Sequence, residues 1–250
     1  MRITNKCGTI ITDLESWEYA FKEVDGEPKH WRDGRSAYSL AHHFTTPTIE
    51  TSNGMDVILA CLNQLGYSNI QLTHAEIEHE SRFDNYRGKG RMQDMIVWAQ
   101  NAKMPIAICI EAKVDETFNI TIPEAYSNAL EVIKKKPTSK AKQRIEDLCL
   151  RFLGNCKIEE LKDVRYQLLY YLAGSITEAI KVKGIAYLPI MVYHTTDFSK
   201  EIGDENKRDY LKFMERMNFI SLPSNNQDIL HFKRNIDGVE VYSSYIEISL

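Results

Sequence analysis

The sequence predicts an α/β (α+β) fold in which a mixed central sheet is flanked by helices. Apolar residues recur at helical spacing in some segments and form short β-branched runs in others. The predicted elements follow the order helix, three strands, helix, strand, which favours a mixed sheet between helices. With 43% hydrophobic and 26% charged residues, the 250-residue chain has the composition of a folded globular protein rather than a disordered one.

The apolar and cysteine patterns exclude several classes of protein. No apolar run approaches the roughly 20 residues that span a bilayer, and the N-terminal segment lacks the apolar stretch of a signal peptide. We therefore expect a cytoplasmic protein with no membrane partner. The five cysteines are odd in number and lack the spacing of a zinc site, so no disulfide framework is expected.

The formal net charge of −4 argues against a protein that coats nucleic acid through its total charge. Two local patches of basic residues are present nonetheless. The first comprises Arg82, Arg87, Lys89 and Arg91, and the second comprises Lys134, Lys135, Lys136, Lys140, Lys142 and Arg144. Each patch taken alone is more typical of a solvated surface than of a binding site.

The chain is expected to form a single domain over residues 1–250, since no internal repeat or low-complexity linker divides it. Residues 1–50 predict an N-terminal helical extension. Asp13 is a candidate N-cap for a helix over residues 14–22, and a second helix is predicted over residues 37–44.

The core of the domain is predicted over residues 53–193. Its first helix is amphipathic and is capped by Ser52 or Asn53. The β-branched content of the following segments indicates strands. Three strands are predicted, over residues 69–80, 92–99 and 106–110.

A helical insertion, predicted over residues 120–156, follows the third strand. The core then closes with a helix over residues 163–181, which has leucine and isoleucine at helical spacing, and a buried strand over residues 185–193. Residues 200–250 predict a C-terminal helix and a hairpin that turns at Asp237-Gly238.

Two carboxylates occupy opposing positions of the predicted central hairpin. If its strands pair about the midpoint of Ala102 and Lys103, opposed residues have numbers that sum to 205, and Asp94 then faces Glu111. Carboxylates held about 5 Å apart repel each other unless a cation neutralises them. Mg²⁺ suits such a pair, because it uses one or two carboxylates together with waters and phosphate oxygens.

Lys113 lies two residues after Glu111 and so shares its face of the strand. There its charge would orient an attacking water and stabilise the phosphoryl group. For Glu-x-Lys alone, a plain salt bridge is the simpler interpretation. The apolar run Ile106–Ile110 favours the functional one, since ionised groups that emerge from an interior strand are costly unless paired or metal-bound.

Asp94 followed by Glu111-Ala112-Lys113 resembles the signature of the PD-(D/E)XK nuclease superfamily, which includes restriction endonucleases and RecB-like nucleases. The superfamily core has the same order of helix, three strands, helix and strand. One departure is Gln93, which stands where the signature often has Pro. Other segments of the chain look like an uncharacterised bacterial family placed in this superfamily.

The resemblance implies a restriction-endonuclease-like core and a site for Mg²⁺, for which Mn²⁺ can substitute. Asp94, Glu111 and the Ala112 carbonyl would hold the metal, and Lys113 would act on the water. Glu78 is a further candidate ligand if its strand lies beside Asp94, although a solvated strand face explains its position as well.

The helix after the catalytic strand adds further candidates. Gln167 and Tyr171 match the Q-x-x-x-Y spacing of many RecB-like members, which places them one above the other on a helix face. Gln167 is predicted to complete the catalytic set, although both residues could only buttress the sheet. Tyr171, Lys89 and Arg91 are the predicted contacts to substrate.

These features predict a Mg²⁺-dependent nuclease that hydrolyses phosphodiester bonds. DNA is the expected partner, an endonuclease is favoured over an exonuclease, and the settings considered are restriction, repair and phage defence. Cutting of both strands would favour a homodimer, and a hydrolase of RNA stays open. The alternative is a non-catalytic binding or regulatory protein that retains the nuclease fold, with carboxylates that serve only structure.

Overall fold

The computed structural model describes residues 1–25, 31–46, 53–154 and 157–249. Within them the strands are β1 (Arg2–Asn5), β2 (Ile10–Ile11), β3 (Gln71–Ser81), β4 (Arg91–Gln100), β5 (Pro105–Lys113), β6 (Ile185–His194), β7 (Ile220–Leu222), β8 (Ile229–Ile236) and β9 (Val239–Ser249). The helices are α1 (Leu14–Asp25), α2 (Ser36–Thr45), α3 (Gly54–Gln64), α4 (Ile122–Lys135), α5 (Ala141–Leu153), α6 (Tyr166–Val182) and α7 (Asp197–Arg216).

These strands form one mixed sheet in the order β2-β1-β3-β4-β5-β6-β9-β8-β7. The pairs β1/β3, β5/β6 and β6/β9 are parallel, and the other pairs are antiparallel. Helices cover both faces of the sheet. The predicted α+β class, with a mixed central sheet flanked by helices, is therefore confirmed.

The predicted order of elements from residue 53 to residue 193 is present, with α4 and α5 as the helical insertion. Asn53 caps α3, because its side chain accepts a hydrogen bond from the Met55 N–H at 2.8 Å. Ser52, the other candidate cap, lies outside the described residues. The register of β4 and β5 also agrees with the prediction, since every pair from Met95/Ile110 to Gln100/Pro105 sums to 205.

The N-terminal prediction was incomplete. Besides helices α1 and α2, residues 1–50 contain β1 and β2, which extend the sheet beyond β3. These strands have only four and two residues, too few to show the alternation by which a strand is predicted. At the other end, β9 lies beside β6, so the predicted hairpin at Asp237-Gly238 is also part of the central sheet.

The sheet separates two apolar cores. Trp17, Leu40 and Ile58 bring α1, α2 and α3 to one core, whereas Leu168 and Tyr210 bring α6 and α7 to the other. Strand β5 is buried on both faces, as its unbroken apolar run predicts, and sends alternate residues into each core. Within the described ranges, no helix combines the length and apolar character needed to cross a bilayer.

A charged network joins β3 to α6 at the border of the core that α6 and α7 cover. His79 Nδ1 lies 2.7 Å from Glu76 and His79 Nε2 lies 3.3 Å from Glu178, while Lys181 Nζ lies 2.7 Å from Glu178. The edge of His79 also packs against the Trp98 ring, with centroids 5.2 Å apart. Burial lowers the pKa of His79, but hydrogen bonds and charges from Glu178 and Glu76 outweigh this and raise it to about 9.

We expect His79 to make the stability of the fold depend on pH. A histidine whose pKa is raised from 6.5 to about 9 by folding stabilises fully below pH 6.5, and this contribution is lost as the pH rises to about 9. The free energy of unfolding lost in His79→Gln, measured in urea, should therefore shrink steadily over this interval. A difference that is independent of pH would contradict the assignment.

Candidate active site

The pairing of β3 and β4 is interrupted at the step where Glu78 faces Asp94. The strands keep the same register immediately before and after this step, but Glu78 has a φ of +49° and the step itself is absent from the ladder. Side chains change face across it: Glu76 and His79 hydrogen-bond to each other, whereas regular alternation would put them on opposite faces. The interruption therefore changes the face of the sheet to which the side chains point, at the end of β3 and at the start of β4.

Asp94 lies at the end of the β4/β5 ladder, next to Glu111 in the predicted register. Its Oδ2 accepts a hydrogen bond from the Ala112 N–H at 2.7 Å, in place of a backbone partner. Because the N–H and C=O of one strand residue point to the same side, the Ala112 carbonyl also faces β4. Burial raises the pKa of Asp94 above its ordinary value, against the opposing charges of Arg91 and Lys113.

Glu111 is buried, with 2% of its surface exposed, and is surrounded by positive and amide groups. Its Oε1 lies 3.0 Å from Lys113 Nζ and accepts a hydrogen bond from Gln167 Nε2 at 2.5 Å. Its Oε2 is bound by the guanidinium of Arg91. The carboxylate is therefore neutralised by two cations from different strands and oriented by an amide from α6.

Arg91 does not have the role predicted for it. Its guanidinium is buried and forms an ion pair with Glu111. It also lies over the rings of Tyr170 and Tyr171, 5.2 and 5.6 Å from their centroids. A Cβ on Gly174 would come within 3.0 Å of the Arg91 side chain, which explains how α6 approaches so closely. The predicted contact of Arg91 with substrate is therefore wrong, and the arginine is an internal partner of Glu111.

Tyr171 also requires a correction. It is 2% exposed, and its hydroxyl donates to the carbonyls of Cys109 at 2.5 Å and Pro189 at 3.2 Å. Such a buried hydroxyl joins α6 to β5 and β6 and does not reach a substrate. Lys89, by contrast, is exposed in the loop before β4 but borders no cleft at Asp94, so its contact with substrate stays a prediction.

Two clefts meet at Asp94. The larger, of about 550 Å³, is bordered by Asp94, Glu111, Lys113, Gln167 and Tyr170 and by the segment after β5. The smaller, of about 210 Å³, brings Glu78 beside Asp94 and Glu116. The structure thus assembles the predicted residues Asp94, Glu111, Lys113 and Gln167 around one opening and places Glu78 in the adjoining one.

Residues from α2 and from the segment after β5 complete this region, and sequence reasoning missed them. Ser36 donates a hydrogen bond to Glu116 at 3.0 Å, and Arg35 lies 3.1 Å from Asp115. Burial raises the pKa of Glu116, but the charge of Lys113 and the hydrogen bond from Ser36 outweigh it, so the net pKa lies below the ordinary value. The contacts span 80 residues of sequence, and no local pattern could have indicated them.

The donor groups at Asp94 suit a half-open cation site rather than a closed one. Among the residues that the structure describes, no three His, Cys, Asp or Glu side chains converge as metal ligands. Mg²⁺ needs only one or two carboxylates and keeps several waters. Asp94, Glu111 and the carbonyl of Ala112 provide such a set beside a cleft with room for a substrate.

A family model described as a domain of unknown function, DUF6946, matches residues 11–250. No curated protein and no solved structure matches the chain. The matched range contains every residue of the site described above.

We expect Arg91→Met to destabilise the protein by about 3–5 kcal/mol, because loss of one partner leaves the buried carboxylate of Glu111 poorly compensated. Arg82→Met is the matched control: Arg82 is 65% exposed in its pair with Glu80, and its loss should cost less than about 1 kcal/mol. Urea unfolding in the presence of EDTA measures both.

The double variant Arg91→Met/Glu111→Gln should recover part of the lost stability, since it removes the unpaired charge as well. Equal effects of Arg91→Met and Arg82→Met would show that the buried pair does not stabilise the fold.

Proposed function

The chain belongs to the DUF6946 family, and we propose that it is a Mg²⁺-dependent nuclease that hydrolyses phosphodiester bonds in DNA. The observation that carries the proposal is the meeting of Asp94, Glu111 and Lys113 at one end of the central strands β4 and β5, beside a cleft of about 550 Å³. In arrangement and in order along the chain, these residues resemble the PD-(D/E)XK signature. The restriction-endonuclease-like core belongs to the same proposal.

Asp94, Glu111 and the carbonyl of Ala112 would hold Mg²⁺, and Mn²⁺ would substitute. When bound, the ion lowers the pKa of a coordinated water and offsets charge on the phosphoryl group. Glu78 is the candidate for an additional ligand, since it borders the smaller cleft with Asp94. Its positive φ is consistent with a backbone held in place to present the side chain at this point.

The neighbouring groups orient these carboxylates. Gln167 holds Oε1 of Glu111, and Arg91 holds its Oε2, so the side chain cannot rotate freely. The ammonium group of Lys113 lies between Glu111 and Glu116, 3.0 and 3.3 Å from their oxygens, at the border of the larger cleft. From there Lys113 would orient the attacking water and stabilise negative charge on the phosphate.

The proposal extends to an endonuclease in the cytoplasm, where it would serve restriction, repair or phage defence. Two copies of the chain would allow both strands of a duplex to be cut.

A second candidate function is favoured by one observation. Both oxygens of Glu111 already have partners within the chain, in Arg91, Lys113 and Gln167. A protein that retains the nuclease fold for binding or regulation alone would have the same pairing, with no cation needed at Asp94. Metal binding and cleavage separate the two candidates.

We expect Asp94→Asn to lower the rate of Mg²⁺-dependent cleavage by about two orders of magnitude or more. The substitution removes a proposed ligand of the Mg²⁺ ion, which would stabilise the negative charge that develops on the phosphate. Asp228→Asn, at an exposed position in the loop before β8, is the matched control and should cleave as the wild type does. Nicking and linearisation of a supercoiled plasmid measure the rates. Cleavage by Asp94→Asn at the rate of the control would refute the proposed site.

We expect calorimetric titration with Mn²⁺ to give a binding heat for the wild type that is lost in Asp94→Asn. Lys113→Met should retain the binding heat while cleavage falls, because the lysine acts on water and phosphate rather than on the metal. Circular dichroism of each variant controls for folding. Absence of a binding heat in the folded wild type would favour the non-catalytic candidate.

A further inference from the structure

One residue of the first basic patch, Arg87, and three of the second, Lys136, Lys140 and Arg144, border one pocket outside the active site. This pocket, of about 490 Å³, lies between the loop after β3 and the turn that joins α4 to α5. It is bordered by Asn85, Tyr86, Arg87, Lys136, Thr138, Ser139, Lys140, Ala141 and Arg144. Residues about 50 positions apart in sequence thus place four cations and several hydroxyl groups around one opening, and none of the described residues that border it is acidic.

Arg144 fixes the shape of this pocket. Its Nε and Nη2 bind both oxygens of Asp84, at 2.6 and 3.0 Å, and its Nη1 donates to the carbonyl of Lys89 at 3.2 Å. The guanidinium also packs over the Phe83 ring, 5.5 Å from its centroid. The bidentate geometry ties the loop rigidly to α5, and it uses the charge of Arg144 within the protein.

The charges of the other three cations are not neutralised by an ion pair within the described part of the chain. Arg87, Lys136 and Lys140 are exposed, and none of them forms an ion pair with any residue that the structure describes. The two acidic side chains of α5 already have partners within the protein: Asp147 is bound by Tyr86 and Gln143, and Glu146 pairs with Lys142. A pocket whose described lining has unpaired cations and hydroxyl groups but no carboxylate is suited to an anion that carries several phosphate groups.

A short stretch of chain connects this pocket to the active site. The carbonyl of Lys89 is bound at the pocket, and Arg91, two residues later, binds Glu111. Their Cα atoms are therefore no more than about 7 Å apart. On α6, the rings of Tyr166 and Tyr170 pack with centroids 5.0 Å apart, and Tyr170 borders the larger cleft.

We propose that this pocket binds the phosphate backbone of the nucleic acid strand whose scissile phosphate lies at Asp94. The proposal rests on the proposed function and deepens it, because it assigns the substrate a direction across the surface, from the larger cleft past the start of β4 to the turn between α4 and α5. Lys136 and Lys140 contact phosphates rather than bases, so they add affinity without sequence preference.

Binding of a fluorescein-labelled DNA duplex, followed by anisotropy in EDTA over a series of NaCl concentrations, tests this without cleavage. Lys136→Gln/Lys140→Gln should make the slope of log K against log[NaCl] shallower by about 2, since each lost phosphate contact removes about 0.9. Affinity should fall by the same factor for two duplexes of unrelated sequence.

The matched control is Lys103→Gln/Lys183→Gln, which removes the same charge. Lys103 lies in the β4/β5 turn and Lys183 follows α6, both at the end of their elements away from the site. The 17 residues of α6 separate Lys183 from the start of this helix by roughly 25 Å. The control should bind with the slope and affinity of the wild type.

Three outcomes would overturn the proposal: no binding of the duplex by the wild type, an unchanged slope in Lys136→Gln/Lys140→Gln, or an equal change in the control. Cleavage reports separately on the proposed function. Duplex binding that depends on Lys136 and Lys140, with no cleavage in Mg²⁺ or Mn²⁺, would support the pocket and refute the nuclease. Cleavage with an unchanged slope would support the nuclease and refute the pocket.

Discussion

The buried charge of Glu111 is the constraint around which the rest of the site is arranged. Its carboxylate lies at the end of the central strand β5 with 2% of its surface exposed, where an unpaired ion would be very costly. Arg91 from β4, Lys113 from β5 and Gln167 from α6 supply the partners. Strands β4 and β5 and helix α6 are thereby held against one another at the strand ends that carry the proposed chemistry.

The interruption at Glu78 and Asp94 makes this arrangement possible. With regular alternation Arg91 would lie on the face of Met95, which belongs to the core under α1, α2 and α3. The change of face sends Arg91 to the side of α6, where it reaches Glu111 and the two tyrosine rings. The same interruption lets the Asp94 side chain reach the Ala112 N–H. A local irregularity of the backbone thus brings a cation and a carboxylate to the site together.

Regular elements made part of the site predictable. The β4/β5 register follows from one short turn, and it placed Asp94 beside Glu111 correctly. Helix spacing paired Gln167 with Tyr171, which are four residues apart and so about 6 Å apart along the helix axis. This distance is close to the rise of about 6.6 Å over two residues of a strand. Gln167 accordingly contacts Glu111, and the Tyr171 hydroxyl donates a hydrogen bond to the carbonyl of Cys109, two residues before Glu111 in β5.

Depth and long-range contacts were not predictable in this way. Periodicity shows which residues share a face, but it does not show that Tyr171 lies beneath the surface. An interruption of a strand has no sequence signature here, so the inward turn of Arg91 was missed. Ser36 and Glu116 meet only because α2 packs over the end of β5, a contact set by the tertiary fold. The short strands β1 and β2 are likewise defined by pairing with β3 rather than by their own pattern.

The two central carboxylates differ in what a cation would add to them. Glu111 already has two cationic partners, Arg91 and Lys113, and a hydrogen bond from an amide. A bound metal ion would have to share the Glu111 carboxylate with these two cations. Within the described part of the chain, Asp94 has one hydrogen bond, from the Ala112 N–H, and burial raises its pKa. The negative charge of an ionised Asp94 therefore has fewer compensating partners than that of Glu111. Of these two carboxylates, Asp94 is the one that borders both clefts. Electrostatics thus makes Asp94, rather than the more buried Glu111, the group that would gain most from a bound divalent cation.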